Sequence, residues 1–111
     1  RWLKAAKYVI TQHMRAPRLS KPGKISQLLM SMDAISQELP VEDFKIIIEA
    51  DHHSLPNYLL YAQEGIDRLK AITGREAPEG IKGPAVGQWL EQERTKLCRV
   101  WLGEINNRSL R

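Results

Sequence analysis

The chain has 111 residues, of which 42% are hydrophobic and 27% are charged. This length suits one domain and is short for two, and the composition is globular rather than disordered or fibrous. The single cysteine, Cys98, excludes an internal disulfide and a cysteine-based zinc site. No apolar run is long enough for a membrane span or a secretory signal, so we expect a cytoplasmic protein.

The first third of the chain predicts two helices joined by a basic loop. Apolar residues recur at steps of three and four from Trp2 to about Met14, and Pro17 ends this first helix. Its predicted buried stripe consists of Leu3, Ala6, Val9, Ile10 and His13 or Met14. The loop APRLSKPGK follows, and the same spacing then predicts a second helix. The apolar positions of this second helix are Ile25, Leu28, Leu29, Met32, Ile35 and Leu39.

A third helix is predicted from Val41 to about Ala50, after Pro40. Glu42 and Asp43 lie in its first turn, where the positive end of the helix dipole stabilises acidic side chains. The apolar run at 44–48 resembles a strand, but charged residues interrupt it and the sequence offers no second strand to pair with it. We therefore predict a helix here.

Two further helices complete the predicted fold. The fourth has Ser54 as its cap, Pro56 near its start and Gly74 just past its end. The fifth opens at Pro84 and stops at Gly103, which leaves 106–111 as a frayed tail. Together these patterns predict an all-α single domain of about five helices.

Positive charge is concentrated in the first quarter of the chain. Residues 1–24 carry seven basic and no acidic side chains, whereas residues 25–111 carry 10 basic and 13 acidic ones. A local field of this kind attracts a polyanion, nucleic acid being the obvious candidate. The alternative is that these charges merely solvate a helix and a loop.

The candidate chemical groups indicate no catalytic or metal site. His52 and His53 follow Asp51, but adjacent helical side chains diverge and no third ligand follows at helical spacing, so we predict a surface helix end. Arg94 and Arg99 could lower the pKa of Cys98, yet no base accompanies it, and a structural role is favoured. The three tryptophans lie at apolar-stripe positions, where core packing is favoured over base stacking.

The segment EGIKGPAVG stands directly before the last helix. Backbone N–H groups at a helix start, beside Lys82 and Gly83, could cradle a phosphate. Neither a Walker loop nor a dinucleotide-binding fingerprint is present. The alternative is a tight connection in which Gly80, Gly83 and Gly87 let two backbones pack closely.

Three motifs resemble the C-terminal helical body and tail of bacterial CCA-adding tRNA nucleotidyltransferases, in the poly(A) polymerase-like superfamily. Asp33-Ala34 and Glu49-Ala50-Asp51 match the first two motifs, and the GIKGPAVGQWL segment matches the third. The resemblance covers nearly the whole chain. In the family an Arg or Gly usually follows the second motif, where this chain has two histidines, so a contact there is not carried over.

The resemblance implies a module, residues 1–111, that binds tRNA and positions it for a catalytic head in the same protein. The chain begins at Arg1, inside a predicted helix, so we expect a fragment of a longer protein. The head and its Mg²⁺ would lie upstream, and the fragment alone would have neither nucleotide-adding nor phosphohydrolase activity. The expected RNA-binding residues are Arg15, Arg18, Lys21, Lys24, Lys82 and Gly83. The alternative function is an all-α protein-interaction or dimerisation module.

Overall fold

The computed structural model describes residues 2–109, and every regular element in that range is helical. Two short 3₁₀ turns, Ala16–Arg18 and Gly74–Glu76, accompany the α-helices. The α-helices are α1 (Trp2–Gln12), α2 (Pro22–Ala34), α3 (Val41–His52), α4 (Asn57–Leu60), α5 (Ala62–Lys70) and α6 (Pro84–Ser109). The prediction of an all-α single domain is confirmed, and five of these helices have nine residues or more.

Helix α6 is the longest element, and two other helices run antiparallel to it. The amide of Asn57, at the start of α4, donates to Asn106 Oδ1 at 3.1 Å. At the end of α5, the carbonyl of Leu69 accepts a hydrogen bond from Arg94 Nε at 3.2 Å. As the residue number rises along α4 and α5, the number of the contacting residue in α6 falls, as in an antiparallel helical hairpin.

Helix α2 also packs antiparallel to α6. A Cβ added at Gly23 would lie 3.6 Å from Thr95 Oγ1, and Gln27 Nε2 donates to Glu91 Oε1 at 2.8 Å. The start of α2 consequently lies beside the middle of α6, and its end points toward the start of α6.

Tyr8 joins α1 to both α2 and α3. Its hydroxyl lies 2.7 Å from Ser31 Oγ, and its ring meets the ring of Phe44 edge-on, with the centroids 5.4 Å apart. The whole assembly is a slab of 47 × 41 × 19 Å, so it is about two helices thick.

One hydrophobic core runs through the slab. Trp101 is its largest fully buried side chain. Its other fully buried members include Leu29, Met32, Phe44, Ile48, Leu59, Ile66, Leu69, Cys98 and Ile105. These residues come from five of the six α-helices, which explains how so thin a domain buries one continuous core without a disulfide.

Several predicted helix boundaries are wrong. Gly103 does not stop the last helix, which continues to Ser109, and residues 110 and 111 of the predicted tail lie outside the described residues. The fourth helix is broken at Tyr61, and its cap residue is Pro56 rather than Ser54. The third helix is confirmed in place of the strand-like alternative, and it extends to His52.

The buried face of α1 also differs from the prediction. Ala5, Tyr8 and Val9 are half-buried against the core, whereas three residues of the predicted stripe face outward. These three are exposed to 58% (Leu3), 71% (Ile10) and 50% (Met14). The helix is rotated from the predicted orientation because the Tyr8 ring takes the inward position beside Phe44.

Candidate nucleic-acid interface

The predicted RNA-binding residues of the first quarter lie on one short segment, residues 15–24, which we call the basic turn. It links α1 to α2 and carries Arg15, Arg18, Lys21 and Lys24. All four side chains are exposed, and none has a hydrogen bond or ion pair within residues 2–109. Four unneutralised charges therefore project from one connection.

Proline and burial fix the backbone of the basic turn. Pro17 stands in the first positions of the 3₁₀ turn, and Pro22 begins α2, so both backbone φ angles are restricted. Ala16 is completely buried, and its carbonyl accepts a hydrogen bond from the Tyr58 hydroxyl. Burial raises the pKa of the Tyr58 hydroxyl, so this donor stays protonated to a higher pH than an exposed tyrosine would.

Several cations outside the basic turn are paired with acids. Five of them make ion pairs at 3.0–3.4 Å: Lys45 with Glu42, Arg68 with Glu104, Lys70 with Asp33, Lys96 with Glu93 and Arg108 with Glu64. Arg94 instead donates to the carbonyls of Leu69 and Ile72 at 3.2 and 3.1 Å. Lys4, Lys7, Arg75, Lys82 and Arg99 have no ion pair among the described residues, but they are spread along the chain, and the basic turn is the densest group of unpaired cations.

Packing of α2 on α6 adds one cation that sequence reasoning missed. Gly23 meets Thr95, and Arg99 lies one turn further along α6, exposed and unpaired within the described chain. Arg99 is one of six α6 residues that line a groove of about 480 Å³, the others being Gln88, Glu91, Gln92, Thr95 and Lys96. No local sequence pattern predicts a role for Arg99, because its position beside the basic turn depends on the contact between Gly23 and Thr95, which are 72 positions apart.

Lys82 and Gly83 lie elsewhere. Lys82 is exposed just before α6, whereas the basic turn meets α6 at Thr95. Pro84 and Thr95 are 11 residues apart on one helix, a separation of about 16 Å. The structure therefore brings the four cations of the basic turn together and leaves the predicted phosphate cradle apart from them.

The alternative explanation of the glycine-rich turn, close backbone packing, is wrong. A Cβ added at Gly80, Gly83 or Gly87 would meet nothing within 4 Å. Gly80 and Gly83 instead have φ angles of +94° and +63°, which glycine adopts without strain. Close approach occurs at Gly65, which sequence reasoning missed and where the Trp101 ring fills the space of a side chain.

We expect Gly83→Val to lower the free energy of unfolding by about 1–3 kcal/mol, because a β-branched residue is strained at this φ. Thermal melting measures the change. Lys82→Ala is the matched variant: it should leave the melting temperature unchanged and remove any single phosphate contact made there. Equal melting temperatures for Gly83→Val and the parent chain would contradict the strain argument.

The two histidines at the end of α3 have structural roles. His52 Nε2 lies 2.9 Å from the carbonyl oxygen of His13 and 3.3 Å from Asp51 Oδ2. His53 ends the helix in the left-handed region, at φ 61°. Across residues 2–109, no three His, Cys, Asp or Glu side chains are grouped to hold a metal ion.

Cys98 and Trp101 belong to the core. Burial raises the pKa of the Cys98 thiol to about 11, so Arg94 and Arg99 do not activate it. Trp101 is 1% exposed and donates from Nε1 to Glu64 Oε2 at 2.9 Å, which confirms core packing for this tryptophan. Trp89 is only half-buried, and the side chain of Trp2 lies outside the described residues.

Ionisation of the Cys98 thiol should lower the free energy of unfolding at alkaline pH. Its pKa is about 11 when folded against an ordinary value of 9, so its contribution is complete below pH 9 and is lost as the pH rises toward 11. We expect the parent chain to lose about 2–3 kcal/mol more than Cys98→Ala between pH 8 and 11. Urea unfolding of both chains measures this difference. An identical pH dependence for the two chains would contradict the assignment.

A small polar cavity lies between the end of α1 and α2. Its volume is about 200 Å³, and it is lined by Gln12, Arg15, Gln27, Leu28 and Ser31. Gln12 Oε1 has almost no accessible surface and no hydrogen-bond partner among the described residues. An unpaired buried acceptor of this kind costs about 1–3 kcal/mol.

Comparison of the chain with protein-family models, characterised proteins and solved structures yields no match. No helix within residues 2–109 is both long and apolar enough to cross a membrane.

Proposed function

We propose that this chain is an RNA-binding helical module that holds the acceptor arm of tRNA for the catalytic head of a CCA-adding nucleotidyltransferase. The observation that carries the proposal is the basic turn, with Arg15, Arg18, Lys21 and Lys24 exposed and unpaired on one short connection, whereas five cations of the body are paired with acids. Lysine and arginine placed in this way neutralise phosphates and release their counterions.

The basic turn is better suited to binding duplex RNA than to reading a base sequence. Proteins recognise RNA helices mainly through phosphates, 2′-hydroxyl groups and shape. The basic turn offers charge on a backbone that Pro17, Pro22 and the buried Ala16 hold in place. Thr95 and Arg99 extend it along α6 with a hydroxyl and a further cation.

The resemblance to CCA-adding enzymes supplies the tRNA part of the proposal. Its three motifs lie at helix ends: Asp33-Ala34 closes α2, 49–51 falls in the last turn of α3, and 80–90 leads into α6. Nucleotidyl transfer and its Mg²⁺ would belong to the head, and this module would contribute electrostatics and shape.

A protein-docking module is the second candidate, and the outward face of α1 favours it. Leu3, Ile10 and Met14 are exposed there by half or more of their surface. An apolar face of this kind is typical of a surface that a partner covers. The cations of the basic turn would then have no specific ligand.

The salt dependence of binding distinguishes the two functions. We expect the affinity for a tRNA acceptor-stem hairpin, measured by fluorescence anisotropy, to fall linearly with salt on logarithmic axes. Four phosphate contacts correspond to a slope of about −3 to −4. No binding to the hairpin, or binding that salt does not weaken, would favour the docking module, since apolar contacts depend little on ionic strength.

A further inference from the structure

The outward face of α1 combines apolar side chains with a free positive charge. Leu3, Lys7 and Ile10 follow one another at steps of four and three residues and form one stripe, which Met14 continues just past the end of the helix. Ile10 is 71% exposed. The Lys7 ammonium, between two exposed apolar residues, makes no hydrogen bond or ion pair within residues 2–109. This face is therefore apolar and basic.

The outward face of α3 has the opposite charge. Asp43, Ile46 and Glu49 recur at steps of three residues, and all three are exposed, Ile46 to 62%. Neither of the two carboxylates makes a hydrogen bond or ion pair in the described part of the chain. Ala50, also exposed, lies one turn beyond Ile46 and widens the apolar strip. This face is therefore apolar and acidic.

Two contacts align α1 with α3. The Tyr8 ring meets the Phe44 ring edge-on, and His52 Nε2 lies 2.9 Å from the His13 carbonyl oxygen. Between these two contacts the residue number rises along both helices. The two helices are consequently neighbours that point in the same general direction, and a residue of α1 can be matched to the residue of α3 at the same level.

We propose that a second copy of this chain covers both faces, in a symmetric dimer in which α1 of each copy lies on α3 of the other. A two-fold axis directed along the helices exchanges them and keeps each residue at its level. Lys7, one residue before the Tyr8–Phe44 contact, then lies opposite Asp43 of the partner subunit. Ile10 lies opposite Ile46 of the partner subunit. The basic turn is outside both faces, so the dimer goes beyond the proposed RNA binding and does not depend on it.

Charge complementarity favours a second copy over an anionic partner. A nucleic acid or an anionic membrane would be attracted by the basic face of α1, but the free carboxylates of Asp43 and Glu49 beside it would repel that partner. A second copy satisfies both faces at once, since a two-fold contact makes each of them twice. Exposed apolar residues rimmed by charges are typical of protein–protein contacts.

Sedimentation equilibrium of the chain from about 10 to about 500 µM tests the dimer, because the dimeric fraction rises with concentration. We expect the mass to rise to that of two chains and no further, since a two-fold contact closes at two copies. A chain that stays monomeric over this range, or that continues to larger assemblies, would overturn the proposal.

Charge reversal tests which faces meet. Lys7→Glu places a carboxylate opposite Asp43, and Asp43→Lys places an ammonium opposite Lys7, so each variant alone should dimerise roughly tenfold more weakly than the parent chain. An equimolar mixture of the two variants should dimerise as well as the parent chain, because both contacts of the mixed dimer again join opposite charges. Weakening that mixing does not reverse would refute the pairing of α1 with α3.

Ile10→Gln and Ile46→Gln test the apolar part of the interface without changing the charge. Both positions are exposed, so the variants should fold, and each should weaken the dimer at least roughly tenfold. Val100→Gln is the matched control, since Val100 is 62% exposed but lies on α6, outside both faces. Equal weakening by all three variants would indicate unspecific apolar association and would overturn the proposal.

Binding of the acceptor-stem hairpin separates this inference from the proposed function. Ile10→Gln leaves every charge of the basic turn in place, so hairpin affinity and its salt slope should be those of the parent chain. A monomeric parent chain that binds the hairpin refutes the dimer alone. A dimer that binds no hairpin refutes the RNA-binding function alone.

Discussion

Gly65→Ala is expected to lower the free energy of unfolding by about 1–3 kcal/mol, although alanine is the better helix former. The added methyl carbon would lie 2.5–2.9 Å from three ring atoms of Trp101. The Trp101 ring has little freedom to move, since it is 1% exposed and its Nε1 is hydrogen-bonded to Glu64. Glu64 is itself held by an ion pair with Arg108. Overpacking should therefore outweigh the gain in helix propensity.

Gly103→Ala is the matched control for this prediction. Gly103 lies inside α6, and an added Cβ would meet nothing within 4 Å. The same substitution should therefore stabilise the chain, by up to about 1 kcal/mol. Urea unfolding of the two variants measures the contrast. A Gly65→Ala chain as stable as Gly103→Ala would mean that α5 and α6 are not packed as described.

Replacement of Arg15, Arg18, Lys21 and Lys24 by glutamine is expected to weaken binding of the acceptor-stem hairpin by about 10²–10³ at 0.1 M salt. Each lost phosphate contact should also flatten the salt slope by about 0.7–0.9. These side chains have no partner among the described residues, so the melting temperature should change little. Anisotropy titrations at several salt concentrations measure both quantities.

A second quadruple variant controls for the loss of net charge. Replacement of Lys45, Arg68, Lys70 and Arg75 by glutamine removes the same formal charge, and three of these cations are already paired with acids. Affinity should fall far less than in the basic-turn variant. Equal losses in the two variants would indicate a diffuse response to net charge and would remove the basic turn from the site.

Periodicity predicted the helical class and most helix positions, and it failed where tertiary contacts oppose local preference. Gly103 disfavours a helix by about 1 kcal/mol, but the fully buried Ile105 follows it and is reached only if α6 continues. At Tyr61 the sequence contains no breaker. The interruption accompanies a distant contact, in which the Leu60 carbonyl accepts from Lys45 Nζ at 3.1 Å.

The candidate site also has one part that local sequence predicts and another that depends on tertiary contacts. Local charge density identified the basic turn, because its cations are close in sequence and lack acids to pair with. Arg99 and the Gln12 cavity could not be found like this, since each depends on which helix faces α2. The outward face of α1 is a similar case: Val9 and Ile10 are equally apolar, and the Tyr8–Phe44 contact selects which one is exposed.

The antiparallel packing around α6 has a consequence for the order of folding. Hydrogen bonds of α5 with α6 join residues that are 25 to 44 positions apart, whereas Gln27 and Glu91 are 64 positions apart. Closing the longer loop costs more chain entropy, and contacts of high sequence separation slow folding. We therefore expect the hairpin of α5 and α6 to form before α2 docks on it. The basic turn acquires its place beside Arg99 only at that later step, so a chain arrested at the hairpin would be helical and yet lack the assembled cationic surface.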